Sequence, residues 1–186
     1  DPLDGPYFEE SIYVTTETRR EIAEVCAKAV RALGLAHGPI HAEMRVNSGG
    51  VYMLEIAARP IGGLCAKALR FTGCSLEEAI ILHSLGRAPA RLTPAAPASG
   101  VMMIPVPRGG VLRNVSGIDD ARGVPLVTDV ILTARVGETL VPLPEGASYP
   151  GFIFAEGPDS ESVESALRKA LGRLRFDILA TLPQVI

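Results

Sequence analysis

Two glutamates, Glu43 and Glu55, stand in the stretch His41 to Gly63, HAEMRVNSGGVYMLEIAARPIGG, where two strand-like runs flank a turn. Carboxylates brought together in this way can hold a divalent cation. Arg59, four residues after Glu55, adds a planar donor fork suited to phosphate or carboxylate. Gly62 and Gly63 then precede a run that reads as a short helix from Leu64 to Phe71. Glycines at a helix entry leave backbone N–H groups open to an anion. Acids for a metal, an arginine and a glycine-rich entry together suit a metal–nucleotide phosphate site.

The acids act together only if the strands that carry them pair in the right register. Ile40 to Val46 alternates, with Ile40, Ala42, Met44 and Val46 on one face and His41, Glu43 and Arg45 on the other. Val51 to Ala57 is mostly apolar, and Asn47-Ser48-Gly49-Gly50 between the runs is hairpin-turn chemistry. A two-residue Ser48-Gly49 loop closed by Asn47 and Gly50 sets Glu43 opposite Leu54 and turns Glu55 to the other face. A three-residue loop, Ser48-Gly49-Gly50, sets Glu43 opposite Glu55, and this is the register expected. Opposed like charges repel. Mg²⁺ offsets that repulsion, since it uses one or two carboxylates and completes its octahedron with water and phosphate oxygens. In the structural alternative one acid is solvated and the other pairs with Arg45 or Arg59.

Leu54, beside the second acid, has two readings: a contact to a nucleotide base, or a core residue. His41 shares a strand face with Glu43 and can donate to a carboxylate or phosphate. Behind the hairpin lies a clear helix. Thr18 and Glu21 read as a capping box, and Ile22, Val25, Cys26, Ala29, Val30 and Leu33 form one apolar stripe that ends at Gly34. A second helix is expected from the box Ser75 and Glu78, with Gly86 past its end.

The composition bounds the rest. Of 186 residues 47% are hydrophobic and 21% charged, enough for one good domain or two small ones. A net charge of −3 and the lack of a basic run argue against a nucleic-acid partner. No apolar run reaches the ~20 residues of a membrane span. Cys26, Cys65 and Cys74 show no metal spacing and read as free thiols of a cytoplasmic protein. A nucleophilic role for Cys65 would need a helix start to lower its pKa. Asp1 to Pro6 reads as an entry loop and Tyr7 to Val14 as a strand, as in a piece of a longer protein.

Arg87 to Gly100, RAPARLTPAAPASG, is the best boundary: its prolines cannot continue a helix and suit an extended connector. The expected division is 1–90, a linker at 91–100, and a second domain at 101–186. That domain is β-rich, with strands over Val101 to Val106, Gly109 to Leu112, Val127 to Val136 and Gly151 to Ala155. A final helix is capped by Asp159 or Ser160 and striped by Val163, Ala166, Leu167, Ala170, Leu171 and Leu174. Asp119, Asp120 and Glu138 read as turn and surface acids.

The pattern H-x-E followed by E-I-x-x-R-P-x-G-G resembles the distal part of the ATP-grasp fold, most like the branch of the L-amino-acid ligases; biotin carboxylase and carbamoyl-phosphate synthase are more distant relatives. Pro107 to Leu112 with Gly117-Ile118 resembles the small domain that follows in those ligases. The resemblance implies an α+β fold, the distal portion of an ATP-grasp module followed by a small β-rich domain with a C-terminal helix. It implies Glu43 and Glu55 as metal ligands and Arg59 as the catalytic residue on phosphate or acceptor carboxylate. Leu54, Gly62 and Gly63 are the cofactor-binding candidates, and the cofactors are ATP and Mg²⁺, with Mn²⁺ as an alternative ion. Many members carry an asparagine two residues after the second acid where this chain has Ala57, which bears on the number of ions. The implied activity is carboxylate–amine ligation through an acyl-phosphate, on small-molecule carboxylate and amine substrates. Carboxylation or carbamoyl-phosphate synthesis on the same fold is the alternative, and a non-catalytic assembly or binding domain is another. The family's glycine-rich flap has no match here and only Lys28, Lys67 and Lys169 supply lysines. The chain is therefore expected to need the missing N-terminal part as partner, and a homo-oligomer is compatible with the sequence.

Overall fold

In the computed structural model, which describes residues 16–87 and 92–180, the first element is helix α1 (Thr16–Ala32). Glu17 in its first turn and Arg31 in its last complement the helix dipole. Gly34, with φ +67°, ends it, and the Leu35 N–H closes back onto the Val30 carbonyl at 3.0 Å. Thr18 lies inside the helix, so it does not cap it. Glu21 serves instead as a tie to the hairpin, accepting from the Val51 N–H at 3.3 Å. The strand expected over Tyr7 to Val14 and the entry loop before it lie outside the described residues.

The hairpin is formed by β1 (His41–Asn47) and β2 (Gly50–Ala57), with α1 packed against β2. A two-stranded ribbon is too narrow to cover a long helix. The α1 stripe expected as core is accordingly half-buried, and Leu33 at its end is exposed. Among the described residues up to Ala95, only Ala79 is buried.

The helix expected over Leu64 to Phe71 is a single 3₁₀ turn (Cys65–Ala68), followed by a small hairpin, β3 (Arg70–Phe71) and β4 (Cys74–Ser75). Thr72 and Gly73 are turn residues, and pairing of their flanks removes the chain from helix. Ser75 caps α2 (Leu76–Ser84), its Oγ accepting from the Glu78 N–H at 3.1 Å, as the sequence implies. The proline-rich run beyond is not all free connector. Thr72 donates to Thr93 at 2.8 Å and Ala95 to Arg70 at 2.9 Å, so this run lies along β3.

The chain divides into two compact units between Ala95 and Ala96. In the second, β5 (Ala98–Met103), β7 (Val127–Leu132) and β9 (Gly151–Gly157) form an antiparallel sheet with β9 central. Two helices, α3 (Ile118–Arg122) and α4 (Ser160–Leu171), pack on it. Ile153, Val130, Ala166, Leu167 and Ala170 are buried between sheet and α4, where the apolar stripe of the sequence places them. Asp159 caps α4, accepting from the Ser162 N–H at 2.7 Å.

A second antiparallel sheet has the order β10 (Arg175–Leu179), β6 (Gly110–Ser116), β8 (Thr139–Leu140), around Leu112, Leu140 and Ile178. Three expectations need correction here. Asp119 and Asp120 belong to α3 rather than to a turn, β7 stops at Leu132, and α4 is followed by a strand, so the helix is not the last element. The class is α+β, and among the described residues every strand pairs antiparallel. Among the described residues no helix is long and apolar enough to cross a membrane.

Candidate functional site

From the turn outward, Asn47 pairs with Gly50, Val46 with Val51, Arg45 with Tyr52 and Met44 with Met53. The loop is thus the two-residue Ser48-Gly49, and the three-residue loop expected from the glycines is incorrect. Gly50 takes φ +123° inside the ladder, and the Asn47 side chain accepts from the Gly49 N–H at 2.8 Å, which tightens the turn.

In a regular ladder that loop would set Glu43 against Leu54. The register shifts instead between Met44 and Glu43: Glu43 pairs with Glu55, Ala42 with Ile56 and His41 with Ala57, and Leu54 is left as the extra residue of a β-bulge. The acids face each other as expected, by a different device. The reason is readable in β2. Val51, Met53 and Ile56 turn inward, whereas Leu54 and Glu55 are both exposed. Regular alternation would send Glu55 inward among these apolar side chains, where a carboxylate is costly. One extra residue keeps both Ile56 and Glu55 on their preferred sides.

The bulge also changes the standing of Leu54. It is 61% exposed, so the core reading is wrong, and it lies exposed beside Glu55. Tyr52, 51% exposed, is used by the turn, its hydroxyl donating to the Gly49 carbonyl at 3.2 Å.

His41 Nε2 lies 3.1 Å from Glu43 Oε1, the contact that strand alternation implies. Neither Arg45 nor Arg59 pairs with either acid among the described residues. The structural alternative, an acid neutralised by a neighbouring arginine, therefore has no counterpart there. Arg59 is exposed, and among the described residues its side chain donates only to the Pro60 carbonyl, from Nη1 at 3.1 Å. Its fork is open to a ligand.

Gly62 and Gly63 are exposed, and Gly63 is left-handed at φ +62°. The 3₁₀ turn that follows has little dipole to offer, so the helix-entry argument for an anion fails at this point. What the glycines present is exposed backbone. Cys65 is half-buried, and burial pushes its thiol pKa up, with a backbone hydrogen bond opposing in part. This is the reverse of what a nucleophile needs.

One cluster was not legible. The His37 and His83 rings stack with centroids 4.1 Å apart, and His83 Nε2 accepts from the Gly38 N–H at 3.3 Å. Gly38 and His83 are 45 residues apart from loop to helix, and no local pattern joins the two histidines.

Among the described residues no group of three or more His, Cys, Asp or Glu is disposed to hold a metal ion. A closed protein cage for zinc or calcium is thus not built there. An opposed pair of exposed carboxylates does fit Mg²⁺, which draws its remaining oxygens from water and phosphate.

Residues 2–68 match the model of the ATP-grasp domain, and residues 102–178 match that of L-amino acid ligase C-terminal domain 2. The crystal structure of L-amino acid ligase from Bacillus licheniformis superposes with TM-score 0.79 at 27% identity, over 95% of this chain and 46% of that one. Phosphoribosylglycinamide synthetase from Anaerococcus prevotii gives TM-score 0.71 at 13% identity, over 90% of this chain and 44% of that one. The biotin carboxylase domain of 2-oxoglutarate carboxylase from Hydrogenobacter thermophilus, in complex with MgADP and bicarbonate, gives 0.62 at 16%, over 93% and 39%. The last two are likenesses of fold. An uncharacterized protein of Sinorhizobium fredii is 26% identical over 167 residues, 89% of this chain and 35% of that one.

Fold and sequence together define the class that the chain resembles: residues 2–68 are similar to the ATP-grasp domain and residues 102–178 to the second C-terminal domain of L-amino acid ligases. Within that fold the likeness is to the L-amino acid ligase branch, in both the second family match and the structural superposition. The chain spans about a third of the curated relative and less than half of each of these solved chains.

Proposed function

We propose that the chain supplies the metal and phosphate wall of an ATP-dependent carboxylate–amine ligase of the amino-acid-ligase type. Glu43 and Glu55 would hold Mg²⁺ against the ATP phosphates, and Arg59 would stabilise charge on the transferred phosphoryl group or the acceptor carboxylate. Leu54 would touch the nucleotide base, and Gly62 and Gly63 would admit phosphate close to the backbone. In the reaction an acceptor carboxylate oxygen takes the γ-phosphoryl group, releasing ADP and giving an acyl-phosphate. The amine nitrogen then attacks the acyl carbon, phosphate leaves, and the amide forms.

The observation that carries this reading is the bulge at Leu54, which sets two exposed acids face to face with no lysine or arginine paired to either among the described residues. A structural ribbon gains nothing from such an arrangement. It becomes favourable when a dication is bound.

The remaining wall of the site, with its phosphate-covering flap, would come from a preceding part of the same polypeptide. The half-buried stripe of α1 supports this, as does the greater length of the relatives. On this reading the chain alone is catalytically incomplete. We place the protein in the cytoplasm, where its free cysteines stay reduced.

The test is ADP release by the full-length protein with ATP, Mg²⁺ and mixtures of amino acids. Amino-acid-dependent release of ADP and phosphate is expected, with loss in Glu43→Gln and Glu55→Gln. Release that follows bicarbonate instead would favour a carboxylase or carbamoyl-phosphate type of enzyme. No turnover, with ATP binding unchanged in both variants, would leave a non-catalytic binding domain.

A further inference from the structure

We propose that His41 is a positioning residue for the acid pair, fixing the Glu43 carboxylate by donating a hydrogen bond from Nε2. The proposal rests on the reading of Glu43 and Glu55 as metal ligands. His41 precedes Glu43 by two residues on β1, so both side chains lie on one face, and Nε2 stands 3.1 Å from Oε1. The ring is 21% exposed and the acid 55%, so the better buried group anchors the more open one.

The neighbouring positions leave this task to His41. On the paired strand it faces Ala57, which brings only a methyl group, and Glu43 faces Glu55, which only accepts. Among the described residues His41 is the one hydrogen-bond partner of the Glu43 carboxylate. Donor type also matters. An imidazole can orient a carboxylate as an uncharged donor, whereas lysine or arginine at position 41 would spend the acid's charge before a dication arrived. With one oxygen held by His41, the other is left to meet the ion from a set direction. Partners of this kind typically change metal affinity about 10-fold or more when removed.

The test uses the full-length protein with ADP and Mn²⁺, whose binding is read by electron paramagnetic resonance and needs no turnover. His41→Phe should weaken Mn²⁺ binding about 10-fold. His41→Gln, whose amide reaches the place of Nε2, should restore most of it. In a Glu43→Gln background His41→Phe should change nothing further. Normal binding by His41→Phe beside weakened binding by Glu43→Gln overturns the positioning role and leaves the metal reading intact. Equal weakening by Phe and Gln at position 41 also overturns it. Unchanged binding in Glu43→Gln removes the metal reading, and this proposal with it. Should His41→Phe fail to fold, ¹⁵N spectra of the metal-free protein decide. An Nε2–H tautomer at His41 whose resonance moves in Glu43→Gln is expected, and an Nδ1–H tautomer contradicts the proposal.

Discussion

Glu43 and Glu55 face each other across β1 and β2 because the residue before Glu55 has no partner of its own. The bulge at Leu54 moves the register by one and converts a two-residue turn, which would have separated the acids, into a ladder that joins them. Two exposed carboxylates are thereby held where a dication and a phosphate can meet them.

Leu54 should matter to nucleotide and little to stability. It is exposed, so Leu54→Ala should change stability by no more than about 0.5 kcal/mol. Loss of an apolar contact to the base should raise the KM for ATP roughly fivefold, equivalent to about 1 kcal/mol, with kcat unchanged. Thermal melts and steady-state kinetics on the full-length protein separate the two. A melting temperature that falls with an unchanged KM would return Leu54 to a structural role.

Arg59→Lys keeps the charge and removes the fork. With only the Pro60 carbonyl as a side-chain partner among the described residues, the substitution should leave the melting temperature unchanged. If Arg59 stabilises the transferred phosphoryl group, kcat should fall by about 100-fold, as for loss of one oriented donor at a developing charge. Single-turnover measurements of ADP formation would show whether the loss lies in chemistry or in product release.

The second unit depends on the apolar layer between β9 and α4. Ile153 is fully buried there, and Ile153→Ala should cost about 2–5 kcal/mol, read as a fall in the denaturation midpoint. Leu171, only partly buried at the edge of the same cluster, should cost less when cut to Ala.

Asp159 gives stability a dependence on pH. The Ser162 N–H donates to its carboxylate and, with the Ser162 hydroxyl, holds the pKa below the ordinary value. The folded pKa is lowered, so the stabilisation is complete above the unfolded-chain value of about 3.9 and is lost as pH falls through the folded value. Asp159→Ala should lower the melting temperature at neutral pH, and the gap to the parent protein should narrow at acid pH. A gap that stays constant to low pH would contradict the assignment.

How much of this was legible in the sequence follows from the range of each signal. The α4 stripe repeats over about three turns, and all its members except Leu171 are buried. The Ser75 and Asp159 caps are local side chain to backbone bonds and were equally readable. Thr18 was misplaced because a threonine and a glutamate at capping spacing also fit inside a helix. β8 has two residues and α3 five, too short for any periodicity. The stacking of His37 on His83 depends on tertiary approach alone. At the acid pair the partners were read correctly and the loop wrongly. Glycines at positions 49 and 50 point to a longer turn, whereas the spacing of Val51, Met53 and Ile56, two and then three, encodes the bulge. That break in alternation was the available signal.

The central claim is that Glu43 and Glu55 hold one ion together, and calorimetric titration of Mg²⁺ into the full-length protein with ADP tests it most directly. Each of Glu43→Gln and Glu55→Gln should weaken Mg²⁺ binding by at least about 10-fold, and the double variant should be little worse than either alone, because one ion is shared. Without ADP the binding should be weak throughout. Wild-type affinity in both single variants, or tight binding in the absence of nucleotide, would contradict the account.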